Sequence, residues 1–126
     1  MKEVRTAAAP APVGPYSQAI ENDGWIFVSG QIPLDPESGE LVGEDAAAQA
    51  RQVLVNLRAV LAAAEVGFGD VLRTTLYLTD LDAFQAVNAV YAEAFDAVPQ
   101  PARATLQVAA LPLGALVEID AIARRG

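Results

Sequence analysis

A long segment of helical periodicity in the middle of the chain does most to limit the fold. Between Asp45 and Glu65 apolar side chains recur every three or four residues, and Gly67 follows as a stop signal. The apolar positions are Val53, Leu54, Leu57, Val60, Leu61 and Ala64. A helix with one apolar face has to pack that face on another layer of structure, so the segments that flank it decide the fold class.

Runs rich in β-branched and aromatic residues lie on both sides of this helix and predict the strands of a sheet. Asn22-Asp23-Gly24 predicts a hairpin turn, and Asp80 or Asp82 predicts the N-cap of a second helix. The order β, β, α, β, α, β, β predicts one α+β domain over residues 1–126, with both helices on one face of a mixed sheet. Strands are predicted near Val4 and over Trp25–Gly30, Val71–Thr79, Ala102–Val108 and Val117–Ala123.

The composition removes several kinds of chemistry. The 126 residues include no Cys and no His, which excludes disulfides, a thiolate nucleophile, a Cys/His zinc site and an imidazole base. Lys2 is the only lysine, and its terminal position argues against a buried Schiff base. We therefore expect no metal and no cofactor, and proton transfer through carboxylates, tyrosine, backbone or water.

Charge and hydropathy limit the partners. The formal charge is -8, and Lys and Arg supply most non-specific affinity for nucleic acid, so we expect no nucleic-acid partner. No apolar stretch reaches the roughly 18 residues of a membrane span, so we expect no membrane partner and a cytoplasmic location.

Known ligand-binding motifs are missing. Asp35, Glu37 and Glu40 offer oxygen ligands, but their spacing departs from the EF-hand pattern and predicts a solvated turn. Gly67 and Gly69 lack the strand-then-helix context of a dinucleotide-binding loop, and no P-loop occurs.

Polar side chains alternate with apolar ones in both of the last two strands. Arg103 shares a strand face with Thr105 and Gln107, and Glu118 shares one with Asp120. Each strand therefore predicts an apolar face toward the helices and a polar face away from them. If both polar faces lie on the same surface, Arg103 and Glu118 come within reach of each other. They then form either an ordinary exposed ion pair or a site where the arginine binds a small carboxylate and the glutamate handles a proton.

Five short motifs follow one another along the chain: GPYSQA at 14–19, SGQIP at 29–33, QVLVNL at 52–57, PAR at 101–103 and VEI at 117–119. Together they resemble the Rid family of reactive intermediate deaminases, of the RidA type formerly called YjgF. The resemblance covers essentially the whole chain, and several separate motifs in the same order make it specific.

The resemblance implies a chorismate-mutase-like α+β fold assembled as a homotrimer, with three equivalent clefts between subunits and the sheets lining the interior. It implies hydrolysis of reactive 2-enamines and 2-imines, such as 2-aminoacrylate and 2-iminobutanoate, to 2-keto acids and ammonia. By the same resemblance, Arg103 would bind the substrate carboxylate and Glu118 would orient or activate water. The cleft would be lined by Tyr16, Ser29, Gly30, Asn88 and Thr105. Many such proteins carry Cys where this chain has Thr105, so a hydroxyl or backbone hydrogen bond survives there but no thiol chemistry.

Other functions stay open on the sequence alone. Asn88 and Tyr16 each fit an ordinary structural role, as a solvated amide and as an aromatic plug over the core. A module that binds 2-keto acids with little turnover would use the same arginine. An endoribonuclease, as some relatives are described, fits poorly with the absence of His and the charge of -8. A chaperone-like role would require exposed apolar surface.

Overall fold

Six strands form one mixed sheet, and two helices pack on one of its faces, in the computed structural model of residues 1–126. The order of strands across the sheet is β1-β2-β3-β6-β4-β5, with β4 and β5 parallel and all other neighbours antiparallel. The elements are β1 (Lys2–Val4), β2 (Ala19–Asn22), β3 (Trp25–Gln31), α1 (Ala46–Ala63), β4 (Val71–Leu78), α2 (Phe84–Ala94), β5 (Ala102–Gln107) and β6 (Val117–Arg124). The α+β class and the two-helix, mixed-sheet arrangement are confirmed, whereas three strands precede α1 and not two.

The first hairpin follows from its turn residues. Asp23 and Gly24 both adopt positive φ, at 52° and 82°, and they connect β2 to β3 with Asn22 opposite Trp25. Two-residue turns of this kind match the twist of the strands and favour Asp-Gly. The hairpin predicted from Asn22-Asp23-Gly24 is confirmed.

Helix α1 begins and ends close to its predicted limits. The carboxylate of Asp45 accepts a hydrogen bond of 2.8 Å from the backbone N–H of Ala48, which caps the first turn. The predicted apolar positions of the helix are buried against the sheet and contribute to a hydrophobic core of 23 residues. Neither helix combines the length and the hydropathy that crossing a lipid bilayer requires.

The segment between β4 and α2 contains one additional turn. Asp80, the first of the two predicted caps, accepts a hydrogen bond of 2.9 Å from the N–H of Asp82 and starts a short 3-10 turn over Leu81–Ala83. Helix α2 then buries Val87, Val90 and Tyr91 against the core.

The loop between β3 and α1 contains the acidic residue Asp35. Its carboxylate accepts hydrogen bonds from two backbone N–H groups and so forms a turn.

Candidate active site

A cavity of about 540 Å³ lies beside the ends of β3 and β6. Its wall contains four of the predicted site residues, Tyr16, Ser29, Gly30 and Glu118. We call it the Glu118 cavity. The rest of the wall is mostly apolar with two amides, and consists of Pro10, Ala11, Val13, Gln18, Gln31, Ile32, Leu34, Pro112 and Leu113. A mostly apolar cavity with a few polar groups is typical of a small-molecule site.

A bulge in β3 makes room for the glutamate. The pairing of β3 with β6 shifts register between Val28 and Gln31, which places Ser29 and Gly30 at the irregularity. A methyl group on Gly30 would overlap the carboxylate of Glu118, so the missing side chain leaves the space that the carboxylate fills. Glu118 makes no hydrogen bond within the chain. Burial, and secondarily the negative charge of Asp120, raise the pKa of the Glu118 carboxyl.

Ser29 and Tyr16 shape the cavity wall. The Ser29 hydroxyl donates a hydrogen bond of 2.6 Å to the carbonyl of Ser17, so its proton is already committed. Tyr16 is 51% exposed, and its hydroxyl accepts a long hydrogen bond of 3.4 Å from the N–H of Val13. Within the chain, Ser29 therefore holds the segment that contains Ser17 against β3, and the Tyr16 ring forms part of the cavity wall.

Gln18, to which the sequence analysis gave no role, holds the N-terminal segment against this cavity. Its buried amide accepts a hydrogen bond from the N–H of Thr6 at 2.8 Å and donates to the carbonyls of Thr6, Ala9 and Pro10. All of its polar atoms are therefore satisfied by backbone groups of one segment. Because Pro10 lines the cavity, Gln18 fixes part of the wall.

Amides on α1 hold the opposite wall. The fully buried Asn56 donates hydrogen bonds to the carbonyls of Ile32 and Leu34, at 3.1 and 2.9 Å, and accepts one from Gln52. Gln49 accepts a hydrogen bond of 2.8 Å from the N–H of Leu116, close to the Pro112–Gly114 turn. The sequence contains a sign of this role, because amide side chains occur beside and within the otherwise apolar stripe of the helix. The sequence does not predict which loops these amides bind.

Arg103 lies elsewhere, against helix α2. Its guanidinium carbon is 4.8 Å from the centre of the Tyr91 ring and 5.6 Å from that of Phe84, and no carboxylate of the chain pairs with it. Asn88 lies on the same face of α2, about one helical turn from each ring. The Thr105 hydroxyl is buried without a hydrogen-bond partner. We call these residues, namely Arg103, Thr105, Phe84, Asn88 and Tyr91, the Arg103 group.

The structure does not bring Arg103 and Glu118 together within one chain. Thr74 is buried under α2, where its hydroxyl forms a hydrogen bond with Tyr91. In the sheet Thr74 pairs with Arg103 of β5 and with the buried Ala121 of β6, so these three side chains lie on the face that the helices cover. Glu118 lies on the opposite face, opposite Tyr77 in the pairing. The prediction that each strand turns its apolar face to the helices is right for β6 and wrong for β5. Edge strand β5 can direct a polar side chain toward α2 because the arginine guanidinium packs over two aromatic rings of that helix.

Three kinds of comparison identify the family. A family model described as Endoribonuclease L-PSP matches residues 6–125. The 2-iminobutanoate/2-iminopropanoate deaminase of Mus musculus is 48% identical over 125 residues, covering 99% of this chain and 92% of that protein. A crystal structure of RidA from Psychrobacter superposes with a TM-score of 0.95 at 42% identity, covering 99% of this chain and all of that one. The structure of TdcF from E. coli with bound serine has a TM-score of 0.94 at 40% identity, with full coverage of both chains.

The fold and cavity thus define a small α+β protein of the YjgF type with a partly apolar cavity. The chain belongs to the Endoribonuclease L-PSP family, which is the Rid family of the sequence resemblance. Members carry different functional names, so membership by itself does not fix a substrate.

Proposed function

We propose that this protein hydrolyses reactive 2-imines and 2-enamines of small amino acids to 2-keto acids and ammonia, in clefts formed between the subunits of a homotrimer. Arg103 of one chain binds the substrate carboxylate, and Glu118 of a neighbour handles the proton. The observation that carries the proposal is the division of the polar machinery into two groups on opposite faces of one sheet, each incomplete without the other.

The Arg103 group has the features of an unfilled anion site. A guanidinium without a carboxylate partner keeps its paired donors for a planar carboxylate, and rings beneath it fix its orientation. The unpartnered Thr105 hydroxyl and the Asn88 amide, which lie on the same side of the sheet, offer two further hydrogen bonds. The relative solved with bound serine supports a ligand of this size and charge.

Assembly is supported by surface that a single chain leaves open. Phe27 is 48% exposed and Leu106 is 39% exposed, both on the sheet face that the helices do not cover. The outer edge of β5 has no strand partner. Exposed apolar side chains and free strand edges are features that a neighbouring subunit covers.

The chemistry requires little beyond positioning. Water adds to the carbon of the C=N bond, a proton reaches the nitrogen, and the carbinolamine then releases ammonia and leaves a C=O bond. No redox step occurs, and a carboxyl group can carry each proton. A substrate fixed through its carboxylate in a cleft with apolar walls presents the same carbon to water at every turnover.

The experiment generates 2-aminoacrylate with a dehydratase and follows pyruvate. We expect wild type to accelerate its formation and Arg103→Ala to lose about 10- to 100-fold in kcat/KM, since a hydrogen bond to a charged group contributes about 1.5–3 kcal/mol. Arg103→Lys should recover only part, because lysine cannot bind bidentately, and the exposed Arg5→Ala is the matched control. Equal rates for wild type and Arg103→Ala would refute the role. Saturable binding of 2-ketobutyrate without acceleration would favour a binding module.

Mixed assemblies test the division between chains. Arg103→Ala and Glu118→Gln are each expected to have strongly reduced activity, but after unfolding and refolding as an equal mixture about one quarter of the clefts should contain both native residues, so the activity should rise above that of either variant alone. Recovered activity supports a cleft shared by two chains. No recovery from a mixture shown to exchange subunits would place both residues in one chain's site and contradict the proposal.

A further inference from the structure

Glu118 belongs to a small acidic cluster on the helix-free face of the sheet. Glu118 and Asp120 are two residues apart on β6 and therefore point to the same side. Across the strand pair, Tyr77 of β4 lies opposite Glu118, and its hydroxyl donates a hydrogen bond of 2.9 Å to the Asp120 carboxylate. The tyrosine thus contacts one carboxylate of the pair and leaves the other without a donor.

The two carboxyl groups are treated unequally by their surroundings. Asp120 accepts a hydrogen bond from Tyr77, whereas Glu118 has no donor and borders a cavity with mostly apolar walls. Burial and the charge of Asp120 both raise the pKa of Glu118. Burial, followed by the hydrogen bond to Asp120, also raises the pKa of the Tyr77 hydroxyl, so Tyr77 remains a donor. The surroundings of Glu118 therefore favour its protonated form.

Within one chain no Lys or Arg forms an ion pair with Glu118 or Asp120, and Arg124, on the same face of β6, lies over the Trp25 ring. From the N-terminal segment the titratable group in the cavity wall is Tyr16, and β3 and the 112–113 turn supply none there. On β4, Arg73 pairs with Ile122, beyond Asp120 as seen from Glu118. The Arg103 of a neighbouring chain is the cation that would oppose the effect, and in the proposed function the substrate carboxylate neutralises it.

We propose that Asp120, oriented by Tyr77, is a positioning residue that keeps a proton on Glu118, so that Glu118 enters the reaction as an acid. The inference rests on the proposed function for its chemical meaning. It specifies the starting protonation state of the site, which neither the fold nor the family fixes.

In the proposed reaction, Glu118 regains every proton that it donates. Glu118 donates its proton to the imine nitrogen or to the terminal carbon of an enamine, and both give the same kind of iminium. Water adds to the iminium carbon and gives its proton to the Glu118 carboxylate, which forms the neutral carbinolamine. Glu118 then protonates the nitrogen, the C–N bond breaks, ammonia leaves, and the hydroxyl proton returns to Glu118 as the C=O bond forms.

The test removes the Asp120 charge but keeps its shape. In Asp120→Asn the amide oxygen can still accept the Tyr77 hydrogen bond, so the cluster keeps its geometry. The titration of Glu118 is followed by NMR with 13C-labelled glutamate carboxyl groups, and Glu118→Gln assigns the signal. Glu44→Gln removes an equal charge from an exposed position and is the matched control. We expect the Glu118 midpoint to fall in Asp120→Asn by more than in Glu44→Gln.

Activity provides the second readout. If Glu118 acts first as an acid, kcat/KM falls as pH rises through its pKa, and Asp120→Asn should move this alkaline limb to lower pH while the plateau is retained. An unchanged Glu118 midpoint in Asp120→Asn, or a loss of rate at every pH with an unmoved limb, would overturn the proposal. If Asp120→Asn fails to fold, the smaller Asp120→Ser is read by the same two measurements. A shifted midpoint in a protein without deaminase activity would refute the proposed function and the acid role, but not the electrostatic coupling.

Discussion

The Glu118 cavity and the Arg103 group lie on opposite faces of the same sheet and are supported in different ways. Two sets of hydrogen bonds fix the walls of the cavity. The Gln18 amide binds the backbone of the N-terminal segment, and amides of α1 bind the backbone of the loops on the other side. Arg103 rests on two aromatic rings of α2 at an edge strand, with no partner for its charge. One region is a cavity with fixed walls, and the other is an unpaired guanidinium with open donors.

The difference indicates how a site of this kind can be divided. A carboxyl group whose protonation matters has to be partly buried, and a buried group needs a fixed wall. An arginine that binds a carboxylate gains from remaining unpaired until the ligand arrives. Each region therefore suits its part in the proposed reaction, and changes that damage one region should leave the other intact.

The largest effect is expected from Asn56→Ala. The substitution removes three hydrogen bonds and leaves the carbonyls of Ile32 and Leu34 without their main donor, which should cost about 2–4 kcal/mol in the free energy of unfolding. Urea denaturation followed by circular dichroism measures it. The exposed helix residue Gln85 is the control, and Gln85→Ala should change stability by no more than about 0.5 kcal/mol. Similar stabilities for the two variants would show that Asn56 does not hold this wall.

Gly30→Ala should disturb the glutamate without disturbing the fold. The new methyl group displaces the end of a flexible side chain, so stability should change by no more than about 1 kcal/mol, whereas a displaced Glu118 should lower kcat/KM about 10- to 100-fold. The control is Gly69→Ala, because a methyl group there meets no atom within 4 Å. A variant with wild-type kinetics would mean that the position of Glu118 does not matter.

The Arg103 side of the comparison is tested by Phe84→Leu. Loss of one ring beneath the guanidinium should raise KM about two- to fivefold, equivalent to roughly 0.5–1 kcal/mol for a partly exposed cation–π contact, with little change in kcat. Phe84→Tyr keeps a ring and should retain the wild-type KM. A fall in kcat alone would show that Phe84 acts on the chemical step and not through Arg103.

These two regions also show which features of the structure can be predicted from the sequence. The periodicity of α1, the Asp-Gly turn and the alternation in β6 are local patterns, and each predicted its element because local contacts decide it. Whether Arg103 faces the helices depends on the register of β5 against β4, a pairing between distant segments that alternation within one strand cannot fix. For the same reason, the loops held by Asn56, 22 and 24 residues away in sequence, could not be predicted.

The smallest effect expected is that of Glu118 ionisation on the free energy of unfolding. Because the pKa of Glu118 is raised in the folded chain, mainly by burial, the folded state binds this proton more tightly than the unfolded state does. The stability of the wild type should therefore fall as pH rises from the ordinary glutamate pKa through the raised one. Glu118→Gln does not titrate, so it should be more stable than wild type above this interval and nearly equal to it below.

Thermal unfolding across this pH range measures the difference, with Glu44→Gln as the control for the loss of one exposed charge. A Glu118→Gln advantage that is the same at every pH would mean that packing, not ionisation, causes it. An advantage confined to the alkaline side would mean that the chain is destabilised by a carboxylate at this position. A carboxyl group kept at such a cost in a cavity with mostly apolar walls is better explained by chemistry than by folding, whereas Asn56, which holds two residues of the cavity wall from behind, is explained by folding alone.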